Sequence, residues 1–332
     1  MKKTILFLTF GLLFNTAVLA DKCNQEDTGT LIMSKSYNNA QLEQFDDLFI
    51  GDPVDIEKNM SALLPQANSL ENKSIYLQKL SQIALAQAMQ QKFDLAHKTL
   101  DTAEAGLTPE YELARVRVLL ERGRVFHQAD NLNAALPLFK QSYELSKKCN
   151  FDFHTINAAH MVAIIENKFN DKIKWNKIAI ELAEKTEDKR GQAWLGALYN
   201  NLAQNYIESE QYQQAYSAFE QSKKFGEERK DAIIVRGSKW GIARALRSLN
   251  RLDEALNMQV ALLEEYEELN KKGEFPIELL QLSRGVVYEE LAEIYLTKAK
   301  IYAALAYQDL HANPWCIKLM SERLDKMKQL KD

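Results

Sequence analysis

The chain has 332 residues, with 42 lysines and arginines against 46 aspartates and glutamates, a formal net charge of −4. It contains only 12 glycines and 6 prolines, fewer than average usage, while the strong helix formers Ala, Leu, Glu, Gln and Lys dominate. This composition predicts an all-α chain. The acidic balance disfavours two classes of protein: those that hold nucleic acid with a basic stripe and those that bind anionic lipid.

The first twenty residues have the layout of a secretory signal peptide. Two lysines precede an apolar run over residues 4–14, and small residues precede a predicted cleavage site between Ala20 and Asp21. The apolar run is too short for a comfortable bilayer span, so an uncleaved anchor helix is the weaker alternative. Removing the two leader lysines from the 42 basic residues leaves 40 against 46 acidic ones, a net charge of −6. We therefore expect the mature chain to work in a bacterial periplasm or outside the cell, and not as an integral membrane protein.

Three cysteines are present: Cys23, Cys149 and Cys316. An odd number cannot all pair within one chain, although an oxidising compartment permits one disulfide beside a free thiol. Ordinary thiols are an equally good interpretation, and the pattern indicates neither a disulfide framework nor a nucleophile. Cys23 lies three residues past the predicted cleavage site, which disfavours a lipoprotein.

Residues 21–70 differ in character from the rest of the mature chain. Their first part is polar, which predicts weak order. The sequences NNAQLEQFDDLFI and VDIEKNMSALLPQANSL then predict two helices, split at GDP. We expect these helices to cap the N-terminal end of the structure formed by the residues after 70.

Beyond residue 70 the sequence repeats a fixed pattern of residue sizes. A small lead residue is followed three positions later by a large one, nine later by a large apolar one, twelve later by Ala and sixteen later by an aromatic one. The clearest copy consists of Ala203, Tyr206, Tyr212, Ala215 and Phe219. Small residues at these places let two antiparallel helices approach closely, while the large ones fill the gaps beside them. Copies of varying quality start at Ala84, Gly123, His160, Ala203, Ala243 and Ala292.

This pattern resembles that of the tetratricopeptide repeat family, in which helix–turn–helix pairs stack along the chain. The resemblance covers residues 71–312 and implies an all-α, right-handed superhelical solenoid of about six antiparallel helix pairs, with residues 313–332 as a C-terminal capping helix. The lead residues are 37 to 49 positions apart, against about 34 in the standard repeat, so longer helices or loops are expected. The sixth copy predicts a helix pair through Ala292, Tyr295, Ile301 and Ala304.

The sequence carries no signature of catalysis. It contains no Gly-rich phosphate loop, no HExxH motif and no nucleophile elbow. Its five histidines lack metal-ligand spacing, and we interpret His154 and His160 as half-exposed polar residues. We therefore expect no enzyme activity, no cofactor and no metal site.

The resemblance also implies where a partner binds. First helices of such pairs line the concave surface, so residues close to the lead residue would face the groove. Amides can donate to and accept from a peptide main chain, Arg can grip a carboxylate, and Trp offers an anchoring face. The family's best-known peptide clamp also uses Lys, which is missing at these positions, and a plain solvated helix face is the alternative. The implied groove residues are Leu120, Arg124, His127, Asn157, Met161, Asn200, Asn201, Gln204, Glu208, Trp240, Arg244 and Arg247.

Together these observations predict an exported, non-enzymatic protein-interaction scaffold that binds a peptide or partner protein in its concave groove. The alternative is a ligand-sensing subunit of a bacterial envelope signalling system, since similar exported repeats occur as sensory portions of membrane receptors. A solenoid enzyme is a third interpretation, disfavoured because no acid–base pair stands out.

Overall fold

The computed structural model describes residues 52–64, 70–273, 275, 277–311, 317 and 321–331. The predicted signal peptide, the segment 21–51, Cys23 and Cys316 lie outside this part of the chain, so the predictions made for them stay predictions. Within the described part every regular element is a helix, as predicted, and no helix there is both long and apolar enough to cross a bilayer. Contacts divide the chain into two compact units, Met1–Ser209 and Glu210–Asp332.

The described part begins with helix α1, Pro53–Ala62. The side chain of Asp52 accepts a hydrogen bond of 2.8 Å from the backbone N–H of Val54, and Pro53 occupies the first turn, where backbone N–H groups lack partners anyway. Helix α1 begins one residue before the second of the two helices predicted before residue 70 and covers its first half. Its buried side packs on α2, Leu70–Met89.

The rest of the first unit is a series of helices joined by short turns. In each pair the first helix packs on the second, as α2 does on α3, α4 on α5 and α6 on α7. Neighbouring pairs also touch, because α2 packs on α4, α5 on α6 and α7 on α9. The helices are α3, Phe93–Ala105; α4, Glu112–Gln128; α5, Leu132–Lys148; α6, Asp152–Ile165; α7, Phe169–Lys185; the short α8, Lys189–Gln192; and α9, Leu195–Glu208.

The second unit contains five described helices, each packed on the next. Helix α14 packs on α13, and its Leu324 is buried. It lies within the segment 313–332 that the sequence assigns to a C-terminal helix. The five are α10, Tyr212–Arg229; α11, Ala232–Ser248; α12, Leu252–Lys272; α13, Ile277–His311; and α14, Ser321–Lys331.

The repeat positions found in the sequence lie in the cores of the two units. The aromatic residues sixteen positions after the lead, Phe139 and Phe219, are fully buried. This confirms that the pattern marks packing positions. The alanines twelve positions after the lead are also fully buried in the first, second, fourth and fifth copies: Ala96, Ala135, Ala215 and Ala255.

The same four copies share a backbone conformation at their turn. The residue seven positions after the lead has a positive φ of 58° to 61°. A single left-handed residue ends one helix and lets the next begin two residues later. The third copy departs from this rule, because α6 is followed by Glu166 in an extended conformation, with ψ 147°. The left-handed residues are Gln91, Asp130, Glu210 and Asn250.

The sixth copy does not form a helix pair. Helix α13 runs without a break from Ile277 to His311, so no turn follows Tyr295, and the predicted sixth pair is wrong. Tyr295 is 55% exposed, although the pattern predicts a core residue there. The position of the turn holds Ala299 between two lysines, a sequence of strong helix formers. One of them, Lys298, forms an ion pair with Asp253 at the start of α12.

Gly241 on α11 lies against a fully buried ring. A Cβ at this position would be only 2.3 Å from Cε1 of Phe219 on α10. Real Cβ atoms do not approach other atoms so closely. The two helices can therefore pack at this distance only because residue 241 has no side chain.

We expect Gly241→Ala to lower the free energy of unfolding by roughly 2 kcal/mol. Overpacking a filled core costs up to about 3 kcal/mol, and the better helix propensity of alanine returns about 1 kcal/mol. Urea unfolding followed by circular dichroism measures the change. Gly285→Ala on α13, where a Cβ meets nothing within 4 Å, is the matched control and should gain up to about 1 kcal/mol. Equal stability of the two variants would contradict the close packing.

Candidate partner-binding surface

The implied groove residues fall into two sets, one in each unit. All lie on first helices of the repeat pairs, as the resemblance implies. Helices α4, α6 and α9 carry Leu120, Arg124, His127, Asn157, Met161, Asn200, Asn201, Gln204 and Glu208, while α11 carries Trp240, Arg244 and Arg247.

Arg124 joins α4 to α6. Its Nη1 donates to Oε1 of Glu121 at 3.0 Å, and its Nη2 donates to Oδ1 of Asn157 at 2.8 Å. Glu121 and Asn157 are buried, while Arg124 is half-buried. The guanidinium of Arg124 is therefore hydrogen-bonded within the protein, and its charge is paired with that of Glu121. It is poorly placed to bind the carboxylate of a ligand.

Asn201 joins α9 to α6. Its Nδ2 lies 2.7 Å from Nε2 of His160. An amide nitrogen only donates, so with this amide orientation Nε2 accepts and the proton of the neutral ring lies on Nδ1. That Nδ1 is buried and has no hydrogen-bond partner among the residues that the structure describes. The ring of Trp194 packs edge-on against His160, with ring centroids 4.9 Å apart.

Glu121, Arg124 and Asn157 form one hydrogen-bonded group, and His160 and Asn201 form a second. We call these five residues together the polar row. It runs across three successive first helices, α4, α6 and α9. The sequence missed Glu121 and His160. Glu121 lies three residues before Arg124 on the same helix, a spacing at which side chains meet, and this signal could have identified it.

The environment of α6 corrects the interpretation of its histidines. Nearly every residue of this helix is buried, including His154 and His160, which the sequence predicts to be half-exposed. Burial, with Arg124 nearby, lowers the pKa of His160 to about 3. Burial likewise lowers the pKa of His154 well below its usual value, assisted by the cations Arg117, Arg190 and Arg124. Both rings are therefore neutral near pH 7 and act as hydrogen-bonding groups.

The remaining implied residues of the first unit differ in exposure. Leu120, Met161 and Asn200 are buried, so they support the fold more than they face a partner. His127 is half-buried, and burial lowers its pKa. The side chains at the edge of the polar row are His127, Asn201 and Gln204, all half-buried, and the exposed Glu208.

In the second unit the implied residues hold α13. Nε1 of Trp240 donates to the backbone oxygen of Val286 at 3.2 Å, and the guanidinium of Arg244 lies 5.7 Å from the centre of the Trp240 ring. Nε and Nη2 of Arg247 donate to the two carboxylate oxygens of Glu290, at 2.5 Å and 3.1 Å. Trp240 is half-buried against a core cluster and is not a free anchoring face.

The described residues offer little other chemistry. Among them, no group of three or more His, Cys, Asp or Glu side chains could hold a metal ion. A cavity of about 280 Å³ lies beside Tyr111, Lys148 and Cys149. The polar row is therefore the strongest candidate surface.

No protein-family model and no curated protein matches this sequence. Solved structures do match. The apo form of RapI has 12% identity and a TM-score of 0.58, over 88% of this chain and 96% of that chain. BtubC (BKLC) from P. vanneervenii has 11% identity and a TM-score of 0.56, over 70% of this chain and 93% of that chain. A Rap protein complexed with competence and sporulation factor has 12% identity and a TM-score of 0.49, over 88% of this chain and 95% of that chain. The first two likenesses, together with the described helices, show that the chain has the all-α fold of tetratricopeptide-like helical repeat proteins.

Proposed function

We propose that the chain is an exported, non-enzymatic protein-interaction scaffold that holds an extended peptide segment along the polar row. The segment belongs to a partner protein or is a free peptide. Export is supported by the layout of residues 1–20, and the scaffold role by the helical repeat fold.

The observation that carries the proposal is the buried Nδ1–H of His160. A buried donor without an acceptor costs about 1–3 kcal/mol, so native proteins keep few of them. A peptide carbonyl is a suitable acceptor, since the ring is neutral and the site carries no excess charge to satisfy. Asn201 and Gln204, one turn apart on α9, can then pair with the neighbouring main-chain groups.

The hydrogen bonds of Arg124 bear on whether the row binds an internal peptide segment or a chain end. Because its guanidinium is bound to Glu121 and Asn157, the row offers neutral donors and acceptors more than a free positive charge. This favours an internal, extended segment over a chain end with a terminal carboxylate. Side chains at the edge of the row must change rotamer to admit the segment, as is common at protein interfaces.

A photo-crosslinking experiment tests this proposal. With p-benzoylphenylalanine at position 204, the exported chain should crosslink a discrete partner peptide that mass spectrometry identifies. Position 214, an exposed glutamine on α10, should not capture that peptide. We expect Asn201→Leu, which keeps the side-chain size but removes the amide, to reduce capture at least about tenfold, equivalent to about 1.4 kcal/mol.

The control for the substitution is Gln213→Leu, which removes an exposed amide from α10 and should leave capture unchanged. Circular dichroism establishes that each variant is folded at the temperature of the assay. Equal capture from positions 204 and 214, or undiminished capture by folded Asn201→Leu, would rule out the polar row as the binding surface. Variants of Trp240 or Arg247 are unsuitable for this test because these residues hold α13.

A further inference from the structure

Helix α13 exposes a regular row of tyrosines. Tyr288, Tyr295 and Tyr302 are seven residues apart and are 47%, 55% and 65% exposed. A second row, of Gly285, Ala292 and Ala299, has the same spacing, and all three residues are exposed. We call these the tyrosine row and the small row.

The two rows lie side by side along the same face of the helix. Seven residues are nearly two helical turns, so each row drifts by only about 20° per step. Each tyrosine lies three or four residues from members of the small row, and residues at these spacings are neighbours on a helix surface. The side of α13 next to the tyrosine row packs Val287 and Leu291 into the core shared with α12, whereas the residues of both rows are exposed. The face with the two rows is thus directed away from the second unit's core.

We propose that this face binds the same face of a second copy of the chain, with the two α13 helices antiparallel. Antiparallel pairing places Tyr295 of one copy beside Ala292 of the other. In the same register Tyr288 meets Ala299 and Tyr302 meets Gly285. Every large side chain then meets a small one, and the contact is two-fold symmetric, as most homodimer contacts are. A seven-residue apolar repeat is also the spacing at which two helices pack along their length.

The charged residues beside the two rows also favour antiparallel pairing. Glu289 lies in the N-terminal half of the face and Lys300 in its C-terminal half, and both are exposed. Antiparallel pairing brings Glu289 of one copy to within two residues, about 3 Å along the axis, of the level of Lys300 of the other. Parallel pairing would instead align glutamate with glutamate and lysine with lysine. The second copy fits this face in one direction only.

The size of the face sets the strength of the contact. A tyrosine buries about 150–250 Å², and about half of that is exposed in each member of the row, so six tyrosines contribute about 600 Å². Stable interfaces bury about 1,200 Å² or more, and Leu296 with the charged flanks must contribute the remainder. We therefore expect a dimer that dissociates on dilution, with a dissociation constant on the order of 1–100 μM, below the strength of large obligate dimers.

Sedimentation equilibrium of the mature chain from roughly 1 to 200 μM tests this contact at an ionic strength near physiological. The wild-type chain should convert from monomer to dimer over this range. We expect Tyr295→Glu, which buries a charge at the centre of the seam, to raise the dissociation constant at least about tenfold. The control is Val260→Glu, which places the same charge on an exposed position of α12 and should leave the constant unchanged. Circular dichroism shows that both variants are folded.

A charge exchange tests the direction of the helices. Glu289→Lys and Lys300→Glu should each weaken the dimer about threefold or more, and the double variant should restore it to within about twofold of wild type. A wild-type chain that stays monomeric throughout, or equal effects of Tyr295→Glu and Val260→Glu, would overturn the proposal. Additive weakening in the double variant would overturn the antiparallel arrangement.

Discussion

Replacing Arg247 with alanine is expected to lower the free energy of unfolding of the second unit by about 3–5 kcal/mol. The partner of Arg247 is Glu290, whose side chain is only 5% exposed. Burial already raises the pKa of the Glu290 carboxyl, against the influence of Arg247. Without the arginine, Glu290 either stays as an uncompensated buried charge or takes up a proton, and both cost stability. Urea unfolding of the variant at pH 7 measures the loss.

Two further variants identify the cause of that loss. Glu290→Gln leaves Arg247, which is half-buried, with an uncharged partner and should cost less than Arg247→Ala. The double variant Arg247→Met, Glu290→Leu removes both charges while keeping side-chain volume, and it should be within about 1 kcal/mol of wild type or more stable. A loss below about 1 kcal/mol for Arg247→Ala would show that the pair does not hold α13 on α11.

The first unit should lose stability as the pH falls from 7 to 5. The pKa of His160 is about 3 in the folded chain and about 6.5 when unfolded. Between these values the unfolded chain binds a proton that the folded chain does not, so stability is complete above pH 6.5 and falls as the pH is lowered. The loss is about 1.4 kcal/mol per pH unit, or about 2 kcal/mol at pH 5. His154, whose pKa is lowered in the same direction, adds to it.

The range from pH 7 to 5 and the variant His160→Gln separate the contribution of His160 from those of other titrating groups. Most carboxyl groups titrate below pH 5, so they contribute little between pH 7 and 5. His160→Gln should flatten the stability curve by about 2 kcal/mol over this range, even if the variant is less stable at pH 7. Hydrogen exchange of peptides from α6 assigns the change to the first unit. Parallel curves for the variant and the wild-type chain would contradict a neutral, buried His160.

The sequence predicted the parts of the fold that depend on short-range packing. Ala203, Ala215 and Phe219 mark core positions because only certain sizes fit where helices meet, and this constraint repeats along the chain. The same reasoning failed for α13. There the pattern of sizes is present at Ala292 and Tyr295, but Tyr295 and Ile301 are exposed. Since burying them does not reward a turn, the helix continues.

The candidate site was predicted less well because it depends on partners distant in the chain. The family resemblance placed Trp240 on a first helix correctly, yet its hydrogen-bond partner, Val286, is 46 residues away. The third copy, which starts at His160, was identified as weak because Lys172 occupies the position of its small residue. The burial of His160 and its contact with Asn201 follow from how α6 and α9 pack, and no local pattern reports that.

The near-complete burial of α6 also affects how the chain unfolds. In a linear array each repeat contacts only the neighbouring repeats, so local unfolding starts at an end and moves inward. Within the first unit, α6 is covered by α5 and α7 and is bound by side chains of α4 and α9. Opening α6 therefore exposes more surface than opening any terminal pair, and fraying from α1 meets its largest barrier there. The irregular third copy is the one that makes the first unit open cooperatively.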